Sequence, residues 1–362
     1  MSAQTAVEAV LAHPAAPLAA VAGIATATHR DVAAAGYATT AGEVATTDTA
    51  FDLASVTKVV GTTTALLRLM HLKALTLDDP VSRFLPDSPC AEGTTVRHLL
   101  LHRAGLWEWQ PLYLAETSPF DVINSLPLRY GLDEGRHYSD LGFQLLGRIV
   151  ERVTALPLDE AVRTLVTEPL GLTRTTFGPV SAPVASSATD AATERHMVNT
   201  AVPYAVLLDG PDFAWRQNEI TGVANDGNCL HAFGGIAGHA GLFSTVDDLL
   251  TLGLALATPQ EHAELWHPDL VAEFFSDGPD SGQAVGWRSE TALVDGHEHR
   301  MVWHPGFTGC ALGIIPATGT AVALLSNRLF APEPVITQTL WHTALPELLG
   351  GHPALDERTT TS

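Results

Sequence analysis

The hydrophobic pattern changes period several times along the chain, and each change marks an element. Residues 3 to 12 read as a short N-terminal helix, while 17 to 28 and 32 to 45, rich in Val, Ala, Thr and Gly with turn-like breaks, predict paired strands. From Phe51 the run FDLASVTKVVGTTTALLRLMHLK repeats apolar positions at helical spacing, through Val59, Thr63, Leu66, Leu67 and Met70, and predicts a buried helix. The clearest helix is YSDLGFQLLGRIVERV, with Leu141, Leu145, Ile149 and Val153 on one face and Asp140 in the first turn. Tyr138 then falls in the loop just before it. Residues 178 to 194 are small and polar with two prolines, which predicts a mobile connector outside the core.

Strand character returns in AVGWRSETALV, HEHRMVWH, CALGIIP and TAVALLSNR, with turns at Asp295-Gly296 and Thr318-Gly319, and predicts an antiparallel meander. A last helix near residues 333 to 349 would cover one face of it. The order strands, helices, strands, helix predicts an α+β fold: an antiparallel β-sheet flanked by N- and C-terminal helices, with an inserted, mostly helical lobe. The expected organisation is a single domain over 1–362, with an α/β lobe from about 1–55 and 240–362 and a helical lobe from about 56–239. No internal repeat interrupts this pattern.

With 362 residues and 46% hydrophobic content the chain is long enough for a sizeable core. The formal charge of -21 argues against nucleic acid and acidic membrane surfaces as partners, since both need clustered Lys and Arg. No uninterrupted apolar stretch reaches the ~18 residues that a membrane span requires. The absence of Lys and Arg before Arg30 lacks the positive flank of an export signal and predicts a cytoplasmic protein. Cys90, Cys229 and Cys310 are odd in number and far apart, as expected of reduced, buried thiols.

Ser55 and Lys58 stand three apart near a helix start, so their side chains project from the same side and can share a hydrogen bond. A serine hydroxyl is inert at neutral pH until a base takes its proton, and a buried lysine can do so or can hold a neighbouring phenolate as base. Lysine occurs only at positions 58 and 73, and Lys58 lies inside an apolar helix where an unpaired ammonium is costly. The spacing alone also occurs by chance. Two further elements follow: Tyr138-Ser139-Asp140, and His304-Pro305-Gly306-Phe307-Thr308-Gly309 after a strand ending at Trp303.

Taken in this order, the three elements resemble the Ser-x-x-Lys, Tyr-x-Asn and Lys-Thr-Gly motifs of the serine β-lactamase and penicillin-binding-protein superfamily, in its class C β-lactamase-like, esterase-containing branch. LTLDDPVSRFLPD, TTVRHLLLHRAGL, EPLGLTRTTF, GGIAGHAGLFSTVDDL and ALLSNR extend the resemblance from about residue 51 to 328. It implies a hydrolase that becomes acylated at Ser55, with Lys58 and Tyr138 as the coupled base, no cofactor and a small-molecule ester or amide as substrate. It further implies an oxyanion hole made by the backbone N–H groups of Ser55 and Phe307, with Gly306 allowing close approach of substrate to the strand.

Asp140 stands where the family pattern has Asn, and His304 where it has Lys. A histidine of ordinary pKa, about 6.5, is only partly charged at neutral pH, so these two changes point away from anionic β-lactam and D-Ala-D-Ala substrates and toward a neutral carboxylic ester. A β-lactamase, a D-Ala-D-Ala carboxypeptidase-like amidase, an acyltransferase and a non-catalytic sensor of acyl compounds are the alternatives. GVANDGNC, residues 222 to 229, resembles a family segment in which Asn225 replaces a His; it either borders the cleft or uses Asp226 and Asn228 as turn formers. Trp107 and Trp109 are candidates for the acyl pocket or for packing at its rim. His297-Glu298-His299 is the densest histidine cluster but has no zinc-site spacing, and the chain has no Gly-x-Ser-x-Gly elbow.

Overall fold

In the computed structural model, which describes residues 2–208 and 213–350, the strand-like ends of the chain meet in one antiparallel sheet. Its strands are β1 (Ala19–Ala25), β2 (Arg30–Gly36), β3 (Gln283–Ala284), β4 (Trp287–Val294), β5 (His297–Pro305), β6 (Ala311–Ile315) and β7 (Thr320–Ser326), in the order β2-β1-β7-β6-β5-β4-β3. The principal helices are α1 (Ala3–Leu11), α2 (Thr64–His71), α3 (Asp140–Thr154), α4 (Val246–Ala257) and α5 (Thr337–Leu349). The α+β expectation holds: an antiparallel sheet is flanked by terminal helices, and helices dominate the intervening sequence.

The sheet is continuous because β1 pairs with β7, Val21 opposite Leu325, although they lie at opposite ends of the sequence. β1 is apolar throughout because both of its faces are covered. Val21 joins the core on the side of α4, whereas Ala20 and Ala22 join the core beneath α1 and α5. On that second face Trp303 of β5 and Trp341 of α5 stack with centroids 5.7 Å apart and planes inclined by 7°. A Cβ on Gly313 would lie 2.8 Å from the Trp341 ring, so the absence of a side chain there lets the indole rest on the sheet.

Two expectations require correction. Residues 37 to 45 do not continue a strand: after β2 the chain forms a tight turn with Ala38 N donating to Glu43 O, closed by a single bridge between Tyr37 and Val44. The 178–194 connector is not excluded from the interior. Ser186–Ala188 forms a buried strand paired with Ile220–Thr221, and Ser186 Oγ lies 2.7 Å from Thr221 Oγ1. Small side chains fit this tight strand pair, which a compositional reading of polarity overlooks.

Around the sheet's edge the helical part supplies two elements that converge. One begins with a 3-10 turn, Ala54–Val56, continues with a π-helical stretch, Lys58–Thr63, and leads into α2. The other is α3, whose N-cap Ser139 accepts a hydrogen bond from Gly142 N at 3.1 Å, fixing Tyr138 just outside the helix and Asp140 in its first turn. Leu141, Leu145 and Ile149 bury the face that holds α3 in the core. None of the helices is long and apolar enough to cross a membrane, among the described residues.

Trp341→Ala should destabilise the fold by about 3–5 kcal/mol, through lost burial, the lost ring stack and a cavity on Gly313. Urea unfolding followed by far-UV circular dichroism measures this, and a loss under about 1 kcal/mol would show that α5 contributes little to the sheet.

Candidate active site

The backbone entering the 3-10 turn is strained: Ala54 has φ of 43°, in the left-handed region that a residue with a Cβ rarely adopts. The buried carboxyl of Asp52 supports this turn by accepting from Ala54 N at 2.8 Å and from Asn225 N at 2.7 Å. Burial, the largest influence, raises the Asp52 pKa to about 6 against these hydrogen bonds. The result is to present Ser55, half-buried, directly over Lys58.

Lys58 is fully buried. Its ammonium donates to Ser55 Oγ at 2.8 Å and to the His239 carbonyl at 3.2 Å, and it lies 2.7 Å from Asp140 Oδ1. Burial by itself opposes the charge, but Asp140 and Tyr138 outweigh it, and the net direction of the Lys58 pKa is upward. The ammonium also lies 5.0 Å from the centre of the Tyr138 ring. Thus Ser55 and Lys58, from the turn and helix after Asp52, and Tyr138 and Asp140, from the start of α3, converge on one point.

The third element arrives on β5. His304 is buried, its ring centre is 6.1 Å from that of Tyr138, and its Nδ1 lies 2.8 Å from the Pro305 carbonyl. Burial, then the charges of Lys58 and Arg288, push its pKa well below the ordinary histidine value. His304 is therefore neutral at pH 7, beyond the partial charge that its residue type implies. A Cβ on Gly306 would stand 2.3 Å from the Leu53 carbonyl, so only glycine allows the loop after β5 to pass this close to the Ser55 turn. Phe307 is half exposed there, and neither its backbone N–H nor that of Ser55 donates to a protein acceptor among the described residues. Two free N–H groups beside a serine form an arrangement able to receive a developing oxyanion.

Other sequence candidates take different places. Trp107 donates its indole N–H to Pro127 O at 2.8 Å and carries the Arg129 guanidinium 4.7 Å from its ring centre, while its carbonyl accepts from Ser139 Oγ at 2.6 Å. Its side chain is thereby tied to the 127–129 segment, and its backbone to the start of α3. Trp109 is buried. The 222–229 segment does border the site: Asn225 is held by Asp52, and Asp226 Oδ1 lies 3.0 Å from His239 Nε2. Asn228 binds Leu112 N and the Gln110 carbonyl, each at 2.8 Å. Asp140, Asp226 and His239 are the one group of potential metal donors among the described residues, their atoms within 4.8 Å of one another. The ammonium of Lys58 already partners Asp140 there, which disfavours adding a cation. His297 and Glu298 are exposed on β5, away from this group.

Three contributors escaped the motif reading. His102 is buried, tilted against Tyr138 with centroids 4.6 Å apart, and its Nδ1 accepts from Ser139 N at 2.9 Å. Arg136 and Arg288 approach the Tyr138 ring with guanidinium carbons 5.9 and 6.0 Å from its centre. The LLLHRAGL stretch was a usable signal for His102; no local signal distinguishes the two arginines from others.

The model of the beta-lactamase family matches residues 4–344. The chain belongs to this family. Among curated members, a putative D-alanyl-D-alanine carboxypeptidase from Salmonella agona (strain SL483) is 29% identical over 321 residues, covering 80% of this chain and 72% of that protein. Similar solved structures of this fold include the octameric penicillin-binding protein homologue from Pyrococcus abyssi, with 21% identity, a TM-score of 0.71 and coverage of 97% and 77% of the two chains. EstCE1, described as a hydrolase with promiscuous acyltransferase activity, has 22% identity, a TM-score of 0.68 and coverage of 96% of both chains. As a member of the beta-lactamase family the chain is a serine hydrolase of the β-lactamase and penicillin-binding-protein kind.

Asp140→Asn removes the counter-charge of a buried ammonium and should cost about 3–5 kcal/mol at pH 7. In the native protein the raised pKa of Lys58 contributes stability that is complete below its unfolded value, about 10.4, and is lost as pH rises through the higher folded value. In the variant burial is less opposed, so the loss should begin at lower pH. Urea titrations at pH 7 and 9.5 test both points; equal stability of the two proteins at both values would refute the pairing.

Proposed function

We propose that this protein hydrolyses carboxylic esters through an acyl-enzyme on Ser55. The observation that carries the reading is the 2.8 Å contact of Ser55 Oγ with a buried lysine, beside two backbone N–H groups that have no protein acceptor.

In the proposed reaction the substrate carbonyl oxygen lies between Ser55 N and Phe307 N. Lys58, kept as an ammonium by Asp140, donates to Ser55 Oγ and cannot take its proton in that state, so in the reactive state Tyr138, as a phenolate beside that ammonium, is the acceptor. Ser55 Oγ attacks the carbonyl carbon, negative charge develops on the carbonyl oxygen, and donors of this kind typically contribute about 3 kcal/mol each to lowering the barrier. Collapse breaks the bond to the leaving alcohol, which receives the proton from Tyr138. Water then attacks the acyl carbon as it gives a proton to Tyr138, and collapse breaks the bond to Ser55 Oγ, which recovers that proton from Tyr138 as the carboxylic acid leaves. His304 and His102, held close to Tyr138, orient its ring.

An ester rather than a β-lactam is supported by His304: the position that carries a lysine in the family motif holds a neutral imidazole here. The names of two relatives, a carboxypeptidase and a hydrolase with acyltransferase activity, both describe chemistry that an acyl-enzyme can perform.

Exposure to a fluorophosphonate should add one adduct at Ser55, seen by mass spectrometry of the peptides. Ser55→Ala should lower turnover of short p-nitrophenyl esters by at least about a thousandfold, while a chromogenic cephalosporin is turned over weakly or not at all. Ester turnover that survives Ser55→Ala would falsify the reading; stable acylation without turnover would favour a sensor.

A further inference from the structure

Tyr204 is brought to the catalytic groups by a chain of backbone and amide contacts. Loop 107–112 is tied to the start of α3, because Asp140 N donates to the Glu108 carbonyl at 2.8 Å and Ser139 Oγ donates to the Trp107 carbonyl at 2.6 Å. The same loop carries Gln110, which is fully buried. Its side-chain amide acts as the edge of a strand would: Nε2 donates to the Ala205 carbonyl at 2.9 Å, and Oε1 accepts from Leu207 N at 2.8 Å. Asn228 grips the backbone of the loop at Leu112 N and the Gln110 carbonyl. Residues 205–207 are thereby fixed across the loop that borders α3, and Tyr204 stands at their edge.

The phenol held there is free to act. Tyr204 is half-buried, and its hydroxyl has no hydrogen-bond partner among the described residues yet is not sealed from solvent. Tyr130, the other phenol on this loop, is already engaged, donating to Glu108 Oε1 at 2.6 Å. Of the neighbouring charges Tyr204 feels Asp140 most, then Tyr138 and Lys58. Burial, followed by the charge of Asp140, pushes its pKa up to about 12, so it keeps its proton at neutral pH and can donate it in a hydrogen bond.

A donor is what this side of the cleft otherwise lacks. Asp140 stands where the family motif has Asn, so it offers no N–H, and its Oδ1 lies on the Lys58 ammonium at 2.7 Å. That ammonium is in turn taken by Ser55, the His239 carbonyl and Asp140. We propose that Tyr204 is a specificity-determining residue whose hydroxyl donates to an uncharged acceptor on the substrate, an ether, keto or amide oxygen a few bonds from the scissile carbonyl. The inference rests on the Ser55 reading for the reaction and names the esters that the site prefers. An alkyl chain laid against Tyr204 would strip its hydroxyl of water and return no acceptor, whereas an oxygen at the same place replaces the lost partner. Plain alkyl esters are therefore the poorer substrates.

Ester pairs in which an oxygen replaces a methylene test the assignment at constant size. On the acyl half the pair is p-nitrophenyl methoxyacetate and p-nitrophenyl butyrate; on the alcohol half it is 2-methoxyethyl propionate and n-butyl propionate. Second-order rate constants, from p-nitrophenol release or from acid release in a pH-stat, are normalised to the alkaline hydrolysis rate of each ester. The wild-type protein should favour the oxygen-containing ester by about fivefold or more in at least one pair, and that pair identifies the half of the substrate that meets Tyr204. Tyr204→Phe, in protein with wild-type circular dichroism, should bring the ratio down to about one. Wild-type ratios near one in both pairs overturn the assignment while ester turnover and the Ser55 adduct stand. A ratio that Tyr204→Phe leaves unchanged also overturns it, even where both esters slow, because the phenol would then serve Tyr138 or Asp140 instead of the substrate. If no ester is hydrolysed and Ser55 takes no fluorophosphonate adduct, the Ser55 reading fails and the assignment falls with it.

Discussion

A fully buried ammonium is the constraint around which this site is assembled. Lys58 has no solvent to stabilise its charge, so the fold must supply an anion and acceptors at close range. Asp140, Ser55 and the His239 carbonyl do so from three separate parts of the chain. Each partner has its own support: Ser139 caps α3 and fixes Asp140, Asp52 braces the strained turn before Ser55, and Asp226 holds the His239 ring. The charge makes the site depend on the relative placement of the helices.

The sheet contributes what helices cannot. β5 brings His304 against Tyr138 and then turns at Gly306, where contact with the Leu53 carbonyl leaves no room for a Cβ. This approach places Phe307 N beside the Ser55 turn, and the Trp303–Trp341 stack holds β5 from behind. The same strand pairing carries Arg288 on β4 next to His304, so the electrostatics of the cleft are set partly by sheet register. A shift of one residue between β4 and β5 would send Arg288 to the opposite face.

Much of this was legible in the sequence, where local rules govern. The three-residue spacing of Ser55 and Lys58 on a helical turn, the cap at Ser139 and the late strand meander are short-range consequences of periodicity and turn chemistry. The connector at 178 to 194 was misread because small polar residues serve equally in loops and in tight buried strand pairs. Ser186 shows the difference only once Thr221 is beside it. The strand expected to continue past Gly36 ends there because the chain turns back on itself between Ala38 and Glu43.

The sequence by itself determined the elements, their order, the family resemblance and the side chains able to carry acyl transfer, because these follow from spacing within a single turn or strand. Tertiary structure alone decided the charge state of the cleft. Whether His304 is neutral depends on burial beside Lys58 and Arg288, residues far from it in sequence. Arg136 is left without a carboxylate partner because Asp280, the nearest in influence, is held by Arg103. Solvation and long-range charge are properties of the assembled interior, and no local pattern along the chain encodes them.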